Sequence, residues 1–175
     1  MKGLENHAYL FGLIGFNTLA LFFLLAAVKW PRLSRLLFFL LFAWASCTNW
    51  IVSHQHPSYY LEYAELTFIP LYRDIINGWF SHHIPLLVGI IASCQGMIAI
   101  SMLLKGWIFK LGCIGGIIFL LAIAPFGVGS GFPCTIIFAA ALVILYRKGL
   151  EYLWHRKPTV YRIAKGRSPF KPRQF

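Results

Sequence analysis

Charge is what this 175-residue chain has least of. Only 12% of its residues are Asp, Glu, Lys or Arg, and just five of these are acidic, where an ordinary water-soluble domain carries about 25% charged residues. So few polar groups cannot cover a water-facing surface, which excludes a typical soluble enzyme. The four cysteines, at 47, 94, 113 and 134, form no CxxC pair. That argues against a thiol–disulfide oxidoreductase and against a zinc ribbon. They read as small packing residues, with Cys47 and Cys134 the two able to meet in one half of the protein. No HExxH or ExxH metal motif occurs, and no Lys-Ser/Thr follows the glycines at 127, 129 and 131 to make a phosphate loop. The apolar runs contain no Asp, Glu or Arg, and Lys110 is their one cation. A proton pump or a transporter of charged substrates would need more.

Apolar residues are abundant, at 59% of the chain, and they come in runs long enough for a membrane. A spanning helix needs roughly 20 mostly apolar residues. Such runs occur at about 9–28, 36–53, 84–104 and 107–125, with a shorter fifth at 133–146. The first reads as a retained span, because Lys29 follows it without a small-residue cleavage site. The expected fold is all-α: a polytopic transmembrane helix bundle of five spans, with four as the alternative count. Short interfacial helices are expected between spans two and three.

The net charge of +11 is concentrated at one end of the sequence. From Arg147 onward there are nine Lys and Arg against Glu151 alone, a surplus of +8. The pI therefore describes a tail, at 147–175, and not a nucleic-acid-binding surface. Lysine and arginine favour cytoplasmic loops. Lys29, Arg32 and Arg35 follow span one, and Lys105 and Lys110 follow span three, whereas Glu62, Glu65 and Asp74 lie after span two. With five spans the tail joins the other basic segments on one side, which places the N-terminus outside and the C-terminus in the cytoplasm. The bland role of the tail is a topology determinant held against anionic lipid. The alternative is a docking arm for an acidic protein surface.

Residues 49–83 hold four of the six histidines and many aromatics. Tyr59, Tyr63 and Leu66 recur at helical spacing, as do Leu71, Ile75 and Trp79 after Pro70. Two short amphipathic helices at the outer interface fit this pattern, with Trp50, Tyr59, Tyr60, Tyr63, Tyr72 and Trp79 as an aromatic belt. Arg73 goes against the basic bias of that side and calls for a partner among Glu65, Glu62 and Asp74. It is either a structural ion pair or the polar anchor of a pocket. His54, His56, His82 and His83 are candidate ligands for a metal ion on the outer face, weighed against interfacial histidines that bond water and headgroups. Of the few polar residues inside the spans, Asn49 and Gln95 are the amides expected to face the interior, as packing bonds or as part of a ligand site. Gly112-x-x-x-Gly116 offers a close-packing face. The glycines between Pro125 and Pro133 suggest a tight, uncharged, non-helical outer turn.

The run Glu62-Tyr63-Ala64-Glu65, the run Ile69-Pro70-Leu71-Tyr72-Arg73-Asp74 and the stretch from Gly115 to Gly127 resemble the DoxX-like group of small bacterial integral membrane proteins. The resemblance covers about residues 8–146. It implies a small helical bundle in the bacterial inner membrane that contacts quinone or another apolar molecule, with no defined catalysis, although four spans are usual in that group.

Two functions are thus expected. The first is a noncatalytic membrane subunit that packs against other membrane proteins of a larger assembly. The second is a bundle that binds quinone, lipid or another apolar ligand near the outer interface, using Arg73, Glu65, Tyr72, Glu62 and Asn49. An outer-face metal site is the third alternative.

Overall fold

The break between the first two apolar runs is made by Pro31, whose missing N–H and fixed φ suit the first position of a helix. A computed structural model of the protein describes residues 7–149. In it α1 (His7–Lys29) ends just before this proline and α2 (Pro31–Gln55) begins on it. The chain then runs through a 3-10 helix at Pro57–Glu62, α3 (Tyr63–Leu66), α4 (Pro70–Asn77) and a 3-10 turn at Phe80–His82. It returns through α5 (Ile84–Leu103), α6 (Gly106–Ile123), a 3-10 segment at Ala124–Ser130 and α7 (Cys134–Lys148). The protein is an all-α helical bundle. Four of its helical segments are long and apolar enough to cross a membrane: Leu10–Lys29, Pro31–Gln55, Ile84–Leu103 and Gly106–Ser130.

α7 is the exception to the five-span expectation. Its 15 residues reach roughly 22 Å at 1.5 Å per residue, short of a hydrocarbon core of about 30 Å. It still makes a fifth pass through the bundle, packed against α1 and α6. Its end lies beside the end of α1, where Lys148 Nζ donates to the carbonyls of Ala27 at 2.9 Å and Val28 at 2.6 Å. The tail beyond Gly149 lies outside the described residues.

Arg35 occupies a place the sequence did not suggest. It is not a loop cation: α2 starts four residues earlier, and the side chain is 0% exposed. Its Nε donates to Met102 O at 2.9 Å, its Nη2 donates to Leu104 O, and the guanidinium lies over the Phe109 ring at 4.2 Å. The last carbonyls of a helix have no partner within it, and the helix dipole makes that end negative. Arg35 supplies both donors and charge to the end of α5. The same region holds a core of Phe23, Phe38, Met102, Phe109, Cys113, Leu142 and Leu145, in which Phe23 meets Phe38 and Phe138 edge-on at 4.9 Å.

Close helix approach follows from small residues. A Cβ on Gly112 would stand 1.6 Å from Ser101 Oγ, and one on Gly116 would stand 2.7 Å from Leu142 Cδ1. The glycine face is therefore spent inside the chain, bringing α6 against α5 and α7, and is not free for a partner. Ser46 on α2 donates to Ala92 O on α5 at 2.7 Å. All four cysteines are unpaired, with Cys47 exposed and Cys134 buried.

The outward side chains are those of a lipid-facing surface. Trp30 and Trp107 are exposed at the end of the bundle that carries Lys29 and Lys105, and Trp50 and Trp79 are exposed at the other. Trp30 and Trp50 stand at opposite ends of a helical run of roughly 20 residues, about 30 Å at helical rise. That equals the hydrocarbon thickness, the separation that tryptophans at two membrane interfaces require.

Two measurements check this packing. Gly112→Ala should lower the unfolding free energy in detergent by about 1–3 kcal/mol through overpacking, whereas Gly115→Ala, whose Cβ meets Ile98 at an ordinary 3.5 Å, should be near neutral. Arg35→Met should cost about 2–4 kcal/mol, because it leaves buried helix-end carbonyls without donors. Equal midpoints for the Gly112 and Gly115 variants, or an unchanged midpoint for Arg35→Met, would contradict the arrangement.

Candidate functional site

At the end away from Arg35 the helices do not close on one another. Pro57, Pro70 and Pro125 each start a short helical piece, because proline opens a helix readily but cannot continue one. Across the bundle, Gly127 takes φ 62° and ψ −124° inside the segment Ala124–Ser130. A Cβ there would press on Leu66 O at 3.2 Å, and one on Gly129 would press on Tyr63 at 2.8 Å. The outer turn is thus not simply irregular: it forms two 3-10 pieces hinged at Gly127 and packed on α3. Thr67 Oγ1 and Phe68 N both donate to Pro125 O, at 2.9 and 3.3 Å, and tie α3 and α4 to this turn.

Beneath these pieces lies a cavity of about 650 Å³ between α1, α2, α4, α5, α6 and α7. Its floor is aromatic, from Phe42, Phe119 and Phe138, and Ile75, Ile76 and Phe80 close it from the α4 side. Phe42 and Phe138 belong also to the packed core, so the cavity begins where that core ends. Among the described residues that line it there is no Asp, Glu, Lys, Arg or His.

Its polar groups are neutral and come from five elements. Tyr60 Oη donates to Asn49 Oδ1 at 3.0 Å, and Asn49 Nδ2 donates to Gln95 Oε1 at 2.9 Å. Tyr72 Oη donates to Ala122 O at 3.0 Å. Thr135, 2% exposed, has a hydroxyl with no hydrogen-bond partner. The carbonyl one turn back, Gly131 O, already accepts from Cys134 N at 3.0 Å and from Asn17 Nδ2 at 3.1 Å, and a carbonyl has two lone pairs. Nothing in the structure explains why Asn17 Oδ1 is also unpartnered.

The sequence-derived site is divided by this geometry. Asn49 and Tyr72 line the cavity, while Arg73, Glu65 and Glu62 do not. Among the described residues Arg73 takes no carboxylate partner: its Nε donates to Ala64 O at 3.2 Å. The backbone carbonyl at the start of the neighbouring helix is within reach, and Glu62 and Glu65 are exposed. Three of the tyrosines expected in the outer belt, Tyr60, Tyr63 and Tyr72, turn inward to the cavity, leaving Trp50, Tyr59 and Trp79 outside. Gln95 belongs to the site, as its amide character suggested. Thr135 was missed, and the only signal for it is its position one turn after Gly131.

The histidines are arranged for another purpose. His54 Nδ1 lies 2.7 Å from Trp50 O, and His83 Nδ1 lies 3.0 Å from Trp79 O, each ring also resting on the tryptophan four residues back. His56 stacks on Tyr59 at 5.2 Å. Among the described residues no three His, Cys, Asp or Glu side chains converge as a metal site would require.

Tyr60 stands in the connection outside the spans, and burial pushes its phenol up to about 12, with Tyr63 adding to the effect. The raised value belongs to a group whose neutral form makes the bond to Asn49, so that contribution is intact below the ordinary tyrosine range near 10 and is lost as pH rises through about 12. The difference in phenolate absorbance at ~295 nm between wild type and Tyr60→Phe should show one tyrosine titrating near pH 12. A difference curve centred near 10 would contradict its burial in the network.

Compared with protein-family models, with curated proteins and with solved structures, the chain matches none.

Proposed function

We propose that this protein is a membrane-embedded bundle that binds a lipid-soluble molecule in the cavity under α3 and α4. The observation that carries this reading is the cavity itself. Its size falls within the ~300–1,000 Å³ typical of small-molecule sites, and its lining follows their usual make-up of mostly apolar walls with a few convergent polar groups. A helix bundle of this length needs no such void for stability, since unfilled space in a core costs packing energy. The DoxX-like resemblance points the same way, toward quinone or another apolar ligand, with Asn49 and Tyr72 kept as ligand residues and Arg73, Glu65 and Glu62 outside it. Membership of a larger assembly is the second reading. It has lost the glycine face as support, and its remaining support is the basic tail.

We place the end bearing Lys29, Arg32, Lys105, Arg147 and Lys148 in the cytoplasm, by the bias of basic residues, with the cavity toward the outer face of a bacterial inner membrane. The ligand would enter from the bilayer and not from water.

The test is native mass spectrometry of the protein extracted from its own membrane in mild detergent. Wild type should retain one lipid-soluble molecule per chain. Ala45→Phe, which adds a ring to the cavity wall, should reduce occupancy by about tenfold or more, while the melting temperature stays within a few degrees. A wild-type chain with nothing bound, or an Ala45→Phe chain that keeps its ligand, would reject the proposal.

A further inference from the structure

Resting on the binding function above, the geometry points to a ligand of one chemical class: a neutral molecule with an apolar body and a carbonyl or ester oxygen, held by the N–H donors of Gln95. Three observations lead there.

The first is the direction of the amide chain. Tyr60 donates to Asn49, and Asn49 donates to Gln95 Oε1. Tyr60 Oη lies 3.4 Å from the Asn49 backbone carbonyl as well, an alternative acceptor for its single hydrogen. Gln95 therefore presents its remaining atom, Nε2 with two hydrogens, to the cavity it lines. Among the described residues that nitrogen makes no hydrogen bond, although Gln95 is only 2% exposed. A buried amide left in that condition is costly.

The second is the place of that nitrogen: Gln95 is nine-tenths or more buried, and it lines the cavity from α5. Thr135 lines the same cavity from α7, but its hydroxyl oxygen is fully enclosed by protein and offers no hydrogen to a ligand there.

The third is the absence of charge from the lining among the described residues. A carboxylate or ammonium group would enter without a counterion and would pay its full desolvation cost. A ketone, ester or quinone oxygen accepts two hydrogen bonds and brings no charge. A glycerolipid ester and an isoprenoid carbonyl compound share this chemistry.

The experiment uses the full chain in nanodiscs with two probes of equal carbon number, 2-tridecanone and tridecane. Occupancy is counted by native mass spectrometry in wild type, Gln95→Leu and Thr135→Val. Partition into lipid cancels when the ketone-to-alkane ratio is compared between proteins. Wild type should favour the ketone by about tenfold over the ratio in Gln95→Leu, and Thr135→Val should keep the wild-type ratio. A readout that needs no variant is the infrared band of carbonyl-labelled 2-tridecanone, which should move to lower frequency on the protein relative to lipid alone.

Equal ratios in all three proteins, or an unshifted carbonyl band with the ketone bound, would overturn the inference while leaving the cavity a binding site. Neither probe bound would overturn both. The mass of the molecule that co-purifies from native membrane then assigns the source: a glycerolipid mass or an isoprenoid carbonyl mass supports the inference, and a pure hydrocarbon mass overturns it.

Discussion

The bundle depends on Arg35 closing the carbonyl end of α5. A helix that stops inside or beside hydrocarbon leaves carbonyls that neither water nor lipid can satisfy, and α5 stops at Leu103 between a long apolar stretch and a tight turn. The guanidinium has enough donors to serve Met102 O and Leu104 O and still lie flat on Phe109, which an ammonium could not do. Because the charge is buried there, α2, α5 and α6 have to meet around it. Lys148 does the corresponding work for α1 from the end of α7. One end of the protein is thus cross-linked by cations on helix carbonyls, and α7 is brought home although it is shorter than the membrane.

The opposite end has no such closure, and the cavity is the consequence. Prolines at 57, 70 and 125 start new short helices before the old ones can meet, and Gly127 and Gly129 let the last of these lie on α3. The long helices are held together below by the phenylalanine core, and above by a few side-chain bonds such as Asn49 to Gln95 and by short pieces that share Pro125 O. What remains between is a volume bounded by rings on one side and by neutral hydrogen-bonding groups on the other. The sealed end and the open cavity are results of one distribution: a buried cation on helix carbonyls at one end, and short proline-started helices at the other.

The helices themselves could be read from the chain, because apolar runs of membrane length bounded by Lys-Trp-Pro or by proline leave few alternatives. So could the short helices after span two and the inward amides Asn49 and Gln95. Arg35 could not. In sequence it sits beside Lys29 and Arg32 and looks like one more loop cation, and only the start of α2 on Pro31 moves it into the core. Arg73 failed for the opposite reason, since charge complementarity suggested a carboxylate where a backbone carbonyl was nearer. The inward turn of Tyr60, Tyr63 and Tyr72 is a tertiary effect. A tyrosine at the edge of a membrane suits the interface and a cavity wall equally well, and which it faces is set by how α3 and α4 dock. Thr135 gave no more signal than its position one turn after Gly131, whose carbonyl is engaged by a residue more than a hundred positions away.

Neutrality is the most restrictive property of the cavity. In a low-dielectric site every unpaired dipole is expensive and every satisfied one is strengthened, so the amide chain from Tyr60 through Asn49 to Gln95 is held in one direction and ends in a donor. Ion pairing, the alternative way to hold a ligand in hydrocarbon, would require a buried charge in the empty protein, and among the described residues the buried cation, Arg35, is already committed to α5. A site built from amides and hydroxyls avoids that penalty. It exerts its selectivity through the direction of a few hydrogen bonds and through the shape of aromatic walls that any apolar body could share.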